Sequence, residues 1–87
     1  MREASRFTNL LAAWPNPSSD ELFVESTEPG TKPWTEILLY DATGRQFDRR
    51  VARRSGRRLQ VDIRGIASGT YIGRLSDTGQ LFRFVKR

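Results

Sequence analysis

The stretch LQVDIRGIASGTYIGRL, residues 59–75, decides the fold. The segment Leu59–Ile63 alternates apolar with polar residues, which is the two-residue period of a strand with one buried face. The small residues of Gly65–Gly69 then turn the chain, and Ile66 is expected to enter the core. A second alternating segment follows over Thr70–Ser76. The stretch therefore predicts two half-buried strands joined by a tight corner.

Short strands and turn signals continue on both sides of this stretch. The turns are predicted at Asp41–Gly44, where the Asp side chain can accept backbone hydrogen bonds, and at Asp77–Gly79, a hairpin turn. Seven strands, without any helical period, predict an all-β fold: an immunoglobulin-like antiparallel β-sandwich, with a small open barrel as the alternative. The predicted strands are residues 10–14, 22–26, 34–40, 45–51, 59–63, 70–76 and 80–86.

Two of these strands carry expectations about burial. The run Ile37–Tyr40 is apolar at every position, which indicates a strand covered on both faces. The strand over residues 45–51 places Phe47 and Val51 on one face, and Phe47 is expected to point inward. Residues 52–56 are expected to form a basic hairpin tip or loop.

The composition is that of one soluble domain that lacks the common catalytic side chains. The chain has 87 residues, of which 37% are hydrophobic and 29% charged, and it contains neither Cys nor His. A Ser-His or Cys-His pair is therefore excluded within the chain, and so are the commonest metal ligands. Most acidic residues lie in turns or on polar strand faces, and no apolar run reaches the roughly 18 residues of a membrane span. We expect no catalytic residue, no metal and no cofactor.

The positive charge is concentrated in one segment. Residues 45–58 contain seven arginines and one acidic residue, a charge of +6, whereas the other residues sum to −1. Such a segment can grip phosphate groups, but no exposed aromatic residues for base stacking are interleaved with it. A solvated, charged sheet edge is therefore preferred over nucleic-acid binding. The candidate basic surface patch consists of Arg49, Arg50, Arg53, Arg54, Arg57 and Arg58.

Two tryptophans support an alternative function. Trp14 and Trp34 each lie beside a proline at a strand end, and together they could form the stacking platform of a carbohydrate-binding module. Packing over the rim of the sandwich is the more common role of such residues. We therefore keep a carbohydrate-binding module appended to a secreted hydrolase as the alternative function and prefer rim packing.

Four short motifs occur in series along the chain. They are WPNPSSD at residues 14–20, LLYDATGR at residues 38–45, an alternating strand with Gly-Thr-Tyr within residues 59–72, and FRFVKR at residues 82–87. In this order and spacing they resemble the type A C-terminal sorting domain of proteins exported by the type IX (Por) secretion system of certain Gram-negative bacteria. The motif residues are Trp14, Pro15, Asn16, Pro17, Asp41, Gly44, Asp62, Gly69, Tyr71 and Lys86.

The resemblance implies that the domain is a sorting signal. Such domains are read by the outer-membrane secretion machinery, which exports the cargo for release or for attachment to the cell surface. It also implies a sortase-like cysteine peptidase that cuts upstream of the domain, and an anionic lipopolysaccharide to which the cargo is joined. Residues 1–9 are then expected to be a linker to an upstream cargo, cut between Ser5 and Asn9. Residues 10–87 are expected to be the sorting domain, with Lys86 and Arg87 in contact with the receptor.

Overall fold

Seven strands make up the fold. The computed structural model describes residues 10–27 and 32–87, so the predicted linker at residues 1–9, and the cut expected within it, lie outside the described residues. Every neighbouring pair of strands is antiparallel, which confirms the predicted all-β class and strand number. The strands are β1 (Ala12–Trp14), β2 (Glu21–Glu25), β3 (Trp34–Tyr40), β4 (Gln46–Ser55), β5 (Arg58–Asp62), β6 (Gly69–Leu75) and β7 (Leu81–Lys86).

The strand order is β1-β2-β5-β4-β3-β6-β7. It is the immunoglobulin order, with the four strands of one sheet followed by the three strands of the other. Here β4 is hydrogen-bonded to both halves, because it pairs with β3 up to Arg53 and with β5 from Arg53 to Ser55. The two halves therefore form one continuous sheet. Its ends meet where the Leu11 amide donates to the Leu81 carbonyl at 2.8 Å.

One apolar cluster fills the space between the two halves. The alternation of β5 and β7 is as predicted, since Phe82 and Phe84 are fully buried whereas Leu81 and Val85 face outward. Ile66 is also buried, as predicted. The cluster thus joins side chains from both ends of the sheet. Its members are Leu11, Leu22, Val24, Ile37, Leu39, Ala52, Leu59, Val61, Ile63, Ile66, Leu75, Phe82 and Phe84.

Strand β3 is covered on one face only. Ile37 and Leu39 are fully buried, but Leu38 and Tyr40 are only half-buried. The prediction of cover on both faces is therefore wrong. The outward side of β3 is only partly covered, because the apolar cluster lies on the side of Ile37 and Leu39 alone.

Strand β4 corrects two further predictions. Phe47 is 41% exposed and Val51 is 63% exposed, so neither points into the core. Leu39 pairs with Asp48 and the next residue of β3 pairs with Gln46, which leaves Phe47 as the extra residue of a β-bulge. The strand also continues to Ser55, so the predicted loop at residues 52–56 is wrong, and only a short turn separates β4 from β5.

The corner before β6 is held by one tyrosine. The Tyr71 hydroxyl donates to the Ala67 carbonyl at 2.6 Å, and the Tyr71 ring stacks on Phe84 with a centroid distance of 5.5 Å. This back-bond is the tyrosine corner of immunoglobulin-like folds. Gly69 has φ +156 and lies directly under the tyrosine, because a Cβ there would be 3.4 Å from the Tyr71 hydroxyl. The corner fixes how β6 enters the sheet.

Candidate functional site

The segment Trp14–Ser18, which we name the collar, ends the first strand. Pro15 and Pro17 have no amide hydrogen, so the ladder of β1 cannot continue through them. The peptide bonds before both prolines are cis. Ser18 is buried, and its hydroxyl donates to the Pro15 carbonyl. The collar is therefore a compact bend and not an extended strand.

The collar is hydrogen-bonded to the end of β7. The Ser18 amide donates to the Val85 carbonyl at 2.8 Å, and the Arg87 amide donates to the Ser18 carbonyl at 2.7 Å. The Val85 amide donates to Asn16 Oδ1 at 2.9 Å. Ser18 and Lys86 also form a parallel β-bridge. We name this set of contacts the collar–tail clamp. It brings the first and last sequence motifs into one site.

Trp14 attaches the collar to the neighbouring strands. Its ring stacks on Phe23 at a centroid distance of 5.9 Å, and the Arg58 guanidinium lies over both rings at 5.5 and 5.9 Å. Trp34 is instead 48% exposed, with the Lys32 ammonium 5.4 Å from its ring centre. Rim packing is thus wrong for Trp34, the outward-facing first residue of β3. The two tryptophans lie on strands that are not neighbours and form no shared platform.

Asp41 organises the turn between β3 and β4. Its Oδ1 accepts hydrogen bonds from the Thr43 amide at 2.9 Å, the Thr43 hydroxyl at 2.5 Å and the Arg45 amide at 3.1 Å. The Thr43 hydroxyl is the main reason that the pKa of Asp41 is lowered. Gly44 closes the turn at φ +87, a conformation that favours glycine. The carboxylate is therefore ionised and committed to backbone donors.

Asp62 is held by arginine at the end of β5. Its carboxylate accepts from Arg64 Nη2 at 2.7 Å, and this pairing is the first reason that the pKa of Asp62 falls to about 2. Arg50 Nη1 donates to the Asp62 carbonyl at 2.9 Å and to the Arg64 carbonyl at 3.2 Å. Both carboxylate oxygens of Asp62 thus accept hydrogen bonds from Arg64 at the end of β5.

The inward-facing arginines of the candidate patch are engaged inside the domain. Arg50 pairs with Asp48 at 2.8 Å. Arg54 pairs with Asp77 at 3.1 Å, although only 5% of its side chain is exposed. The buried Nε of Arg54 has no hydrogen-bond partner within the described residues.

The outward-facing arginines are more open. Arg49 pairs with Glu36 at 3.3 Å, and Arg58 stacks on the collar tryptophan. Arg53 and Arg57 are exposed. Four of the six arginines thus face outward along β4 and the following hairpin, whereas Arg50 and Arg54 lie on the other side and pair with Asp48 and Asp77.

Two motif residues share a shallow depression at one end of the sheet. Asp41 and Tyr71 line it together with the exposed ring of Phe47, and its volume is about 320 Å³. The centre of the Phe47 ring lies 5.2 Å from the centre of the Tyr71 ring, so the two side chains are in contact. Within residues 10–27 and 32–87 no group of three or more His, Cys, Asp or Glu residues could hold a metal ion. Over the same ranges there is no helix of the length and hydropathy needed to cross a membrane.

Two residues of this architecture were not singled out from the sequence. Gly73 lies in β6 under Phe82, and a Cβ on it would be 2.1 Å from the ring. A lone glycine inside an alternating strand is a known sign of such close approach and could have indicated it. Ser18 is buried in the clamp, but no periodic pattern surrounds it, so the sequence carries no comparable signal.

The described geometry agrees with the comparison to known families. A family model described as "Secretion system C-terminal sorting domain" matches residues 12–86, from the first residue of β1 to the last residue of β7. No curated protein and no solved structure matches the chain. The match covers all seven strands and every residue of the collar–tail clamp except Arg87. The chain belongs to the C-terminal sorting domains, which direct proteins through the type IX secretion system to the cell surface or into release.

Proposed function

We propose that residues 10–87 act as a non-catalytic sorting label and that the cargo joins this label ahead of β1. A sorting signal of this family interacts with the secretion machinery. In our proposal a sortase-like peptidase of that machinery cuts between Ser5 and Asn9. The cargo is then released or joined to an anionic lipopolysaccharide.

The collar–tail clamp is the observation that carries this proposal. It ties Asn16 and Ser18 to Val85 and Arg87 through three hydrogen bonds of 2.7–2.9 Å. A peptidase needs an extended, accessible backbone, and a segment whose amides are committed in a folded domain resists cleavage. The clamp, and the β1 residues that pair with β2 ahead of it, therefore support a cut made upstream of residue 10.

The side chains support a label that performs no chemistry itself. The sequence contains no His and no Cys. Asp41 accepts backbone amides, Asp48 and Asp62 pair with arginines, and none of them is positioned as a free base. In our proposal the motif residues instead maintain the shape that the machinery reads. Asp41 and Gly44 hold one turn, Tyr71 holds the corner, and the exposed charge of Arg87 contacts the receptor.

The cut can be mapped on the whole chain. A secreted passenger is fused ahead of residues 1–87 and expressed in a host with the type IX system, and mass spectrometry then identifies the new termini. We expect a cut within residues 5–9 in the wild-type fusion. A cut inside residues 12–86 would contradict the border that we assign.

A paired variant tests the clamp itself. Asn16→Ala removes the acceptor for the Val85 amide, whereas Thr43→Ala, in the distant turn after β3, leaves the clamp intact. We expect additional cleavage after the collar only for Asn16→Ala. Equal cleavage patterns in both variants would show that the clamp does not protect the border.

A further inference from the structure

An apolar surface lies on the outward side of the second half of the sheet. We name it the outer apolar face. Its strands are in register, so that Tyr40 lies opposite Ile72, and Arg74 lies between Leu38 and Leu81. All its apolar members are at least partly exposed, with Leu81 at 37% and Val85 at 38%. The face consists of Leu38, Tyr40, Ile72, Leu81 and Val85.

A shallow depression lies within this face. Tyr40, Ile72 and Leu81 line it together with two turn glycines, and its volume is about 440 Å³. Gly44, the motif glycine after Asp41, is one of them, and a Cβ there would touch nothing within 4 Å. The depression is therefore open enough to receive an apolar side chain from outside.

The face carries positive charge without matching acids. Arg74 and Arg83 occupy outward positions on β6 and β7, and neither pairs with a carboxylate within the described part of the chain. Glu36 is the one acidic residue at an outward position of β3, β6 or β7, and Arg49 neutralises it at 3.3 Å. A partner that covers this face must supply the negative charge.

The outward side of the first half of the sheet is different. Its strands β2 and β5 expose Glu21, Glu25 and Asp62. Phe23, the one large apolar side chain at an outward position of β2 or β5, is already covered by the collar tryptophan and by Arg58. The outward positions of β2 and β5 therefore carry acids where the outer apolar face carries arginines.

We propose that the outer apolar face is the surface on which a protein of the export machinery docks, through an apolar patch bordered by Asp and Glu. This inference rests on the proposed function. Interface cores are enriched in aromatic and arginine side chains and depleted of acids, and this face likewise has Tyr40 with Arg74 and Arg83 and no free acid. Opposite charge at the border selects and orients the partner. A second copy of this chain fits less well, since it would bring the arginines of both faces together.

The test uses the whole chain fused to a secreted passenger. Ile72→Asp places a carboxylate in the centre of the face, and Val51→Asp makes the same change at a 63% exposed position that borders the other half of the sheet. We expect roughly tenfold less exported passenger for Ile72→Asp, the effect of losing about 1.4 kcal/mol of docking free energy. Val51→Asp should export within about twofold of the wild type.

Charge reversal tests the chemistry of the partner. Arg74→Glu with Arg83→Glu should reduce export as Ile72→Asp does, whereas Arg53→Glu with Arg57→Glu should not. A photo-crosslinking residue at position 72 should form an adduct with an outer-membrane protein of the export system, and one at position 51 should not. Because Ile72→Asp can lower stability, the melting temperature is measured for each variant. If the melting temperature of Ile72→Asp is lowered, the crosslinking result decides whether position 72 contacts the partner.

The possible outcomes separate this inference from the function on which it rests. A wild-type fusion that is not exported would overturn the proposed function and this inference with it. An exported wild type with equal export of Ile72→Asp and no adduct at position 72 would overturn the docking face alone. So would sedimentation of the 87-residue chain as a dimer that Ile72→Asp dissociates, because the face would then bind a second copy.

Discussion

Gly73 lies so close to the Phe82 ring that we expect it to accept not even one methyl group. A Cβ at this position would be 2.1 Å from Phe82 Cζ and 2.5–2.6 Å from two further ring atoms. Phe82 is fully buried and stacks on Phe84 at 6.0 Å, so the ring has no free space into which to move. Overpacking of this kind costs about 3 kcal/mol, the upper part of its usual range.

That cost is large for a domain of 87 residues. At about 0.05–0.15 kcal/mol per residue, the whole free energy of unfolding is roughly 4–13 kcal/mol. A loss of about 3 kcal/mol lowers the melting temperature of so small a domain by roughly 12–24 °C. Differential scanning calorimetry of Gly73→Ala measures it directly.

A double variant identifies the cause. Phe82→Leu shortens the side chain that opposes Gly73, so Gly73→Ala should cost far less in that background than in the wild type, with a coupling of about 1–2 kcal/mol. A melting temperature of Gly73→Ala within about 3 °C of the wild type would refute the packing argument. So would additive losses in the double variant, because the two side chains would then act independently.

The remaining predictions concern the corner, the strand end and the clamp. Tyr71→Phe should lower the free energy of unfolding by about 0.5–1.5 kcal/mol through loss of the bond to Ala67, and Tyr71→Ala by about 3 kcal/mol; equal losses in denaturant unfolding would contradict the corner. Because the pKa of Asp62 lies at about 2 in the fold against an ordinary 3.8, its carboxylate stabilises the domain above about pH 4 and loses that effect as the pH falls toward 2. Asp62→Asn should therefore flatten the stability profile between pH 4 and pH 2, and parallel profiles would refute the assignment. Asn16→Ala should accelerate hydrogen exchange at the Val85 amide by about fivefold or more, while unchanged exchange would remove that bond from the clamp.

The strands could be predicted because each has its own periodic pattern. The segment Trp34–Tyr40 has the bounds expected of it, and the alternation of Leu59–Ile63 gave the correct buried face. The turn at Asp41–Gly44 followed from the hydrogen-bonding ability of Asp and the positive φ open to Gly. These features depend on neighbouring residues, so local sequence is sufficient to indicate them.

The errors came from contacts that are distant in sequence. Phe47 was expected to point inward, but the buried side of β4 is the one that carries Ala52, and Phe47 and Val51 fall on the opposite side. Arg54 was expected on the surface, yet only 5% of its side chain is exposed and its guanidinium pairs with Asp77 on a distant hairpin. A pairing register and a long-range ion pair are set by the whole sheet, which no short pattern specifies.

The sequence motifs include the collar and the last strand, but not the contact between them. The motifs named Asn16 and Lys86, and the sequence gives no sign that the collar and the last strand touch. The clamp depends on Ser18 and Val85, whose contact spans most of the chain. The arginine segment shows the opposite relation between sequence and structure. Its charges are close together in sequence but are divided between the two faces of β4, because successive side chains of a strand point to opposite sides.

The most direct test of the central claim is the location of a passenger protein that carries these 87 residues at its C-terminus. It is measured by cell fractionation in a type IX host and in the same strain without a working export channel. We expect the passenger to lie outside the outer membrane in the first strain and to be retained in the periplasm in the second. Periplasmic retention in both strains, or export in both, would contradict the central claim.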